Sequence, residues 1–366
     1  MRRSLGLYIH IPFCRQKCAY CDFYSLARSQ DAMAQYQSVL AEDLVSRAPS
    51  AREYTVDTVY FGGGTPSYFG AARLASLLET VKAHYTLAED CEITAEANPE
   101  SARNAADLRL LRTAGFNRLS FGMQSSDENE LRMLGRIHRF AQVKEAVETA
   151  REAGFANISL DLMYGLSDQT AQTWQKSLAD AVSLAPEHLS CYALKVEEGT
   201  PLAAKKISLP NDEMQAEFYL AAVSYLEQNG YAQYEISNFA REGKFSRHNM
   251  KYWILGEYLG FGPGAHSDFG GERFAVSRDL SAYLCGEHTE SERAVIPPQE
   301  RERERVMLGL RTARGIEDDA RIAAARDFLR KCEKEHLAAS ENGFWHLTPQ
   351  GFLVSNAIIL GVLERI

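Results

Sequence analysis

The chain has 366 residues, 45% of them hydrophobic, and a formal net charge of −9. It is long enough to bury a large core, in one large domain or a large domain plus a small one. An acidic chain without a basic block excludes nucleic acid and an anionic membrane as main partners. No apolar run approaches the ~18 residues needed to cross a bilayer, so no membrane-spanning segment is expected.

The first fourteen residues, MRRSLGLYIHIPFC, carry two arginines and an apolar stretch. That stretch is too short for a signal peptide, holds His10 and Pro12, and runs on without a small-residue cleavage site. It reads as a strand of a mature, cytoplasmic protein. In chain order, strands are predicted at Gly6–Ile11, Thr55–Phe61, Glu92–Ala97, Arg118–Phe121, Asn157–Leu162 and His188–Ala193. Helical spacing of apolar residues predicts helices at about Met33–Arg47, Ala71–His84, Ala105–Thr113, Val143–Ala153 and Thr173–Leu184. Strictly alternating strands and helices imply an α/β fold, a partial (β/α)6 barrel, with sites on loops at the C-terminal strand ends.

The pattern changes after Leu209. Pro210 and Asn211 precede a helix at about Asp212–Gln228, followed by a glycine- and aromatic-rich stretch from Tyr231 to Phe274. Pro297 and Pro298 mark a further boundary. The tail reads as two helices, a short β segment around Trp345–Leu347 and a helix from Pro349, a small helical, winged-helix-like domain. From Glu300 onward there are eleven Lys or Arg and eleven Asp or Glu, so this unit lacks the positive face of a DNA reader. The division expected is 1–209 for the barrel, 210–296 for a barrel extension and 297–366 for the C-terminal domain.

Three of the seven cysteines fall within eight residues, as Cys14-Arg-Gln-Lys-Cys18-Ala-Tyr-Cys21. The other four, Cys91, Cys191, Cys285 and Cys332, are scattered and read as core residues. An odd count with one tight group points to a metal site in a reducing compartment rather than to disulfides. Three thiolates on one loop suit three corners of an iron–sulfur cube and leave the fourth iron open. A structural zinc site would want a fourth ligand. His10, four residues before Cys14, is the candidate, although its strand position turns it toward the barrel.

The next strand end gives Phe61-Gly62-Gly63-Gly64-Thr65-Pro66-Ser67. Three glycines allow close backbone approach to a ligand, or simply a tight turn. Successive strand ends then give Glu96-Ala-Asn98-Pro99-Glu100, Arg118-Leu-Ser-Phe-Gly122-Met-Gln124, Leu134-Gly135-Arg136 and Asp161-Leu-Met-Tyr-Gly165. Carboxylates there can bind hydroxyls or an ammonium, and an arginine can fork onto a carboxylate.

C-x3-C-x2-C after the first strand, with Tyr20 before the last cysteine, resembles the signature of radical S-adenosylmethionine (SAM) proteins. That resemblance implies a 4Fe–4S cluster on Cys14, Cys18 and Cys21, whose open iron chelates the amino and carboxylate groups of S-adenosylmethionine. The strand-end strings resemble the HemN-like group, the oxygen-independent coproporphyrinogen III oxidase-like proteins, over nearly the whole chain. The resemblance implies that Tyr8, Gly63, Gly64, Thr65, Glu96, Gln124, Arg136 and Asp161 line the S-adenosylmethionine pocket, with Tyr20 in the same region.

This group holds two classes: true oxidases, which decarboxylate two propionates of coproporphyrinogen III, and heme chaperones of the HemW kind, which bind heme and transfer it to acceptor proteins. Three features side with the chaperones. The oxidase pattern continues to a further cysteine where this chain has Phe23. The oxidase carries tens of residues before its cluster strand, whereas seven precede Tyr8 here. The segment His248-Asn249-Met-Lys-Tyr252-Trp253 fits the chaperone pattern H-N-x-x-Y-W. The resemblance therefore implies heme as a ligand and heme-acceptor proteins, such as respiratory heme proteins, as partners, and it permits monomer or homodimer. For heme, His248 offers an imidazole, and Asn249, Tyr252 and Trp253 accompany it. The alternative is a loop histidine with Trp253 filling the core. His266, in Gly262-Pro-Gly264-Ala-His266, is a rival ligand.

Overall fold

The computed structural model describes residues 2–26, 30–205, 207–287 and 289–366. Six strand–helix units come first: β1 (Arg3–Ile11), α1 (Gln30–Arg47), β2 (Tyr54–Gly63), α2 (Pro66–Phe69), α3 (Ala71–His84), β3 (Leu87–Ala97), α4 (Ala105–Ala114), β4 (Arg118–Gln124), α5 (Glu128–Met133), α6 (Phe140–Glu152), β5 (Ile158–Tyr164), α7 (Ala171–Ser183) and β6 (His188–Ala193). β1 to β6 pair side by side and parallel, in chain order. This is the partial (β/α)6 barrel expected.

Side-chain alternation explains the two faces. Leu5, Leu7, Ile9 and Ile11 of β1 are fully buried on one face, as are Val59 and Phe61 of β2, Leu119 and Phe121 of β4 and Leu160 and Leu162 of β5. Each such side chain contributes roughly 1.5–3 kcal/mol by leaving water. The opposite face carries polar residues in register: Glu96 lies beside Ser120, and Asp161 beside Ser190. Burying that row of charges costs stability unless partners or a ligand meet it. Helix starts follow capping chemistry. Asn104, Asp127 and Thr170 accept backbone N–H groups at the heads of α4, α5 and α7, and Gly115 closes α4 in the left-handed conformation.

The extension comprises α8 (Asp212–Gln228), β7 (Ala232–Gln233), β8 (Asn238–Ala240), α9 (Arg247–Trp253), β9 (Tyr258–Phe261), β10 (His266–Phe269), β11 (Glu272–Val276), α10 (Leu280–Leu284) and β12 (Glu290–Val295). Its strands join the barrel sheet at both edges, in the order β12-β11-β10-β9-β1-β2-β3-β4-β5-β6-β8-β7. β9 runs parallel to β1, and β8 antiparallel to β6. Both barrel edges are thereby covered, which removes exposed ladder groups. Strands of two to six residues carry too little periodicity to be read from sequence.

The tail holds α11 (Pro298–Gly309), β13 (Ile316–Glu317), α12 (Arg326–Lys334), β14 (Ala338–Glu341), β15 (Phe344–Leu347), α13 (Pro349–Leu353) and α14 (Ser355–Leu363). Its three strands form a separate antiparallel sheet, β13-β15-β14, larger than the single β segment anticipated. Asp268 of β10 pairs with both Arg273 and Arg301, and Arg273 pairs with Glu304, fastening α11 to the extension.

Candidate cluster and cofactor site

The cysteine loop leaves β1 and is pinned at several points. Cys14 donates its N–H to Leu26 O, Leu26 donates to Pro12 O, and Ala19 donates to Leu134 O at 3.0 Å. The last bond seats the loop against the end of α5, where Gly135 adopts φ +74° with its Cα edge against the Ala19 nitrogen. Leu202 N–H closes on Ala19 O from the far side. Gly64 crosses the loop so closely that a Cβ would lie 2.7 Å from Phe13 O and 2.9 Å from Ile11 O, backbone atoms that cannot yield. Its N–H donates to Ile11 O, and that of Thr65 to Phe13 O, both at 2.8 Å. Gly64 is therefore required by contact between two strand ends, beyond any ligand it meets.

Cys14, Cys18 and Cys21 line one cleft of about 130 Å³ together with Tyr20, Gly63, Gly64, Thr65, Glu96, Gln124, Arg136 and Asp161. A continuous hydrogen-bonded chain ties two of the thiols. Thr65 Oγ1 donates to Cys14 Sγ at 3.4 Å, and Asn98 Nδ2 donates to Thr65 Oγ1 at 3.1 Å. Arg136 Nη2 donates to Asn98 Oδ1 at 3.0 Å, while its Nη1 donates to Cys18 Sγ at 3.3 Å. Arg136 also donates to Gly122 O. Asn98 is thus the bridge of the site. Sequence reasoning quoted it in the Glu96–Glu100 string but gave it no role.

Burial pushes the Cys14 thiol up against the pull of its Thr65 hydrogen bond, and pushes Cys21 up to about 11. Thiols in such surroundings ionise when a cation or metal arrives to compensate. Glu96 accepts from Tyr60 Oη at 2.8 Å and from Gly63 N at 3.0 Å, and burial still raises its carboxyl to about 7. Asp161 is raised by burial as well, although Ser190 and Ser120 donate to it. Arg118, unassigned from the sequence, is 2% exposed and lowers both carboxyls through its charge.

This donor set fits an iron–sulfur cluster and a zwitterionic cofactor. Three free thiols face one cleft. Arg136 Nε and Arg118 Nε are buried donors without a partner among the described residues. Buried orphans of that kind mark places where a ligand completes the bonding. Gln124 leaves β4 with φ +64°, a left-handed turn at the cleft wall that a non-glycine residue adopts only under local constraint. A second cleft of about 430 Å³ adjoins the first. It shares Tyr20, Cys21, Phe23, Glu96, Gln124 and Asp161 with it and reaches Asn249 of α9.

Two residues expected at ligand sites are not part of the thiol cleft's lining. Tyr8 stands apart from the thiol cleft and lines a neighbouring cavity, its hydroxyl 3.0 Å from His10 Nδ1. It is in register with Tyr60 of β2 and stacks on that ring at 6.2 Å, and the Tyr60 hydroxyl in turn donates to Glu96. His248 is no loop histidine with a free nitrogen. It is 1% exposed, with Nδ1 2.8 Å from Thr58 Oγ1 and Nε2 2.9 Å from Tyr252 Oη. Its ring stacks on Tyr60 at 5.1 Å, and burial lowers its pKa to about 3. A neutral imidazole has one donor and one acceptor, and both are used, so His248 presents no lone pair to a metal. The glycine at position 6 makes the room, since a Cβ there would meet the His248 ring and Thr58. Asn249 lines the larger cleft, Tyr252 the cavity beside Tyr8, and Trp253 is half-buried at the end of α9. The four residues of this segment therefore do not converge on one ligand position. His10 is likewise engaged at both nitrogens, the second 2.9 Å from Tyr24 O, and does not join the thiols.

No described helix is long and apolar enough to cross a membrane. The family described as the radical SAM superfamily matches residues 8–181. The heme chaperone HemW of Bacillus subtilis (strain 168) is 35% identical over 370 residues, covering 96% of this chain and 97% of that one. HemW of Escherichia coli (strain K12) is 36% identical over 368 residues, 97% of each chain. The solved structure of coproporphyrinogen III oxidase (HemN) from Escherichia coli superposes with a TM-score of 0.85, covering 100% of this chain and 91% of that one. At 24% identity that likeness shows a common fold. With the thiol loop, the glycine turn and the strand-end acids in their places, and with two relatives matched almost end to end, the chain belongs to the radical SAM superfamily and, within it, to the family of HemW heme chaperones.

Proposed function

We propose that this protein is a heme chaperone: it binds heme beside a radical SAM barrel and passes it to an acceptor protein, such as a respiratory heme protein. The observation that carries this reading is the 35–36% identity to HemW proteins over 96–97% of the chain, which takes in the extension and the tail as well as the barrel. Membership in the superfamily implies a 4Fe–4S cluster and S-adenosylmethionine, and we assign the cluster to Cys14, Cys18 and Cys21.

A bound cluster supplies one open iron position and an electron. The chain's own residues do the rest. Arg136 and Asn98 hold Cys18 and, through Thr65, Cys14, and Arg136 would offer its charge to the cofactor's carboxylate. Glu96 would meet its ammonium, whose positive charge would favour the ionised carboxyl. Asp161 and Gln124 close the wall on the polar remainder. Phe23, 68% exposed at the position of the oxidase's extra cysteine, borders both clefts with an apolar ring. It offers heme a surface and adds no ligand.

The chaperone reading carries an expected negative with a positive control. Cluster-loaded protein given coproporphyrinogen III, S-adenosylmethionine and a reductant without oxygen should give no sustained protoporphyrinogen formation by chromatography, while a HemN oxidase assayed alongside does. Many turnovers per protein would identify an oxidase instead.

A further inference from the structure

A cavity of about 340 Å³ lies between β1, the segment after the cysteine loop, α9 and the turn into β10. Its walls are aromatic: Tyr8, Phe23, Tyr24, Tyr252 and Tyr258. His266 and Arg278 are at its mouth, both exposed. Flat, apolar walls with one imidazole and one guanidinium at the rim match a porphyrin, whose faces are apolar, whose iron takes nitrogen and whose propionates take cations.

The histidines separate cleanly on availability. His10 and His248 are buried with both ring nitrogens engaged. His266 is exposed, and its ring has no hydrogen-bond partner among the described residues. Its placement is built. Gly262 and Gly264 adopt φ +91° and +82°, Ala265 N–H donates to Gly262 O, and Gly264 N–H donates to Val276 O. This turn starts β10 with His266 beside the cavity. Arg278 crosses Gly264, where a Cβ would touch its Cγ, and has no ion pair among the described residues. Phe23 belongs both to this cavity and to the thiol cleft, so a ligand here abuts the cluster loop.

Resting on the heme-chaperone reading, we propose that this aromatic cavity is the heme seat, with His266 as axial ligand to the iron and Arg278 pairing with a propionate. One edge of the macrocycle packs on Tyr8, Tyr24 and Tyr252, and the other stays open for release.

The test is an anaerobic titration of hemin into the cluster-loaded full chain, following the heme-minus-unloaded Soret difference and the ferric heme EPR signal. Wild type is expected to retain heme with a nitrogen-ligated spectrum. His266→Ala should lose that signature and bind at least about tenfold more weakly, and added imidazole should restore the spectrum. Arg278→Gln should bind about three- to tenfold more weakly with the iron spectrum unchanged. His248→Ala should keep the nitrogen-ligated spectrum while lowering thermal stability. Wild-type spectrum and affinity in His266→Ala would overturn this seat and leave heme binding standing. Failure of wild type to retain heme would instead defeat the chaperone reading on which the seat rests.

Discussion

Cys18→Ala should abolish the broad cluster absorption near about 400 nm after anaerobic reconstitution, and with it the iron and sulfide content. Cys18 lines the same cleft as Cys14 and Cys21 and accepts a charged hydrogen bond from Arg136. An iron corner left without its thiolate has no substitute nearby, since His10 is engaged at both nitrogens. Removing one of three ligands should therefore cost essentially the whole cluster rather than a fraction. Cys285→Ser is the control: that cysteine, expected in the core, is exposed and distant in sequence from the loop, and its replacement should leave the spectrum unchanged. A wild-type spectrum in Cys18→Ala would remove Cys18 from the cluster.

The second large effect is expected at Arg136. Its guanidinium spans Cys18 Sγ, Asn98 Oδ1 and Gly122 O, and its buried Nε is left over for a ligand. A hydrogen bond to a charged group is worth about 1.5–3 kcal/mol, so Arg136→Ala should weaken S-adenosylmethionine binding roughly ten- to hundredfold. The same change leaves Asn98 and Gly122 without their donor, which adds about 1–3 kcal/mol of lost stability. Calorimetric titration beside a thermal melt separates the two. Arg136→Lys keeps the charge but not the fork, and should recover stability better than affinity. Equal cofactor affinity in wild type and Arg136→Ala, at equal cluster content, would exclude Arg136 from the pocket.

The barrel was legible because its elements are long and strongly patterned. The helices at Ala71–His84 and Asp212–Gln228 have the limits that leucine spacing and the flanking Gly, Pro and Asn residues suggested. The cleft was legible for a topological reason: loops at successive C-terminal strand ends of a parallel sheet meet, whatever their separation in sequence. Asn98 was hidden because its role depends on lying between Thr65 and Arg136, residues brought together from two other loops. The surroundings of Tyr8 were hidden because alternation along β1 gives a face but not its neighbour, and β9 supplies that neighbour from about 250 residues downstream. The surroundings of His248 were hidden for a similar reason. An H-N-x-x-Y-W string looks like an accessible loop, yet it forms the short helix α9, whose histidine is received by Thr58 and by the space at Gly6.

A heme chaperone carries heme in order to give it away. The direct measurement loads the reconstituted full chain with one equivalent of hemin, removes free heme by gel filtration, and mixes the complex with the apo form of a b-type heme protein. Heme is expected to co-elute with the chain and then to appear in the acceptor's spectrum, with the loaded chain losing an equal amount. Heme that separates from the chain on the column, or that stays on it while the acceptor remains empty, would mean that this protein is no heme carrier to other proteins.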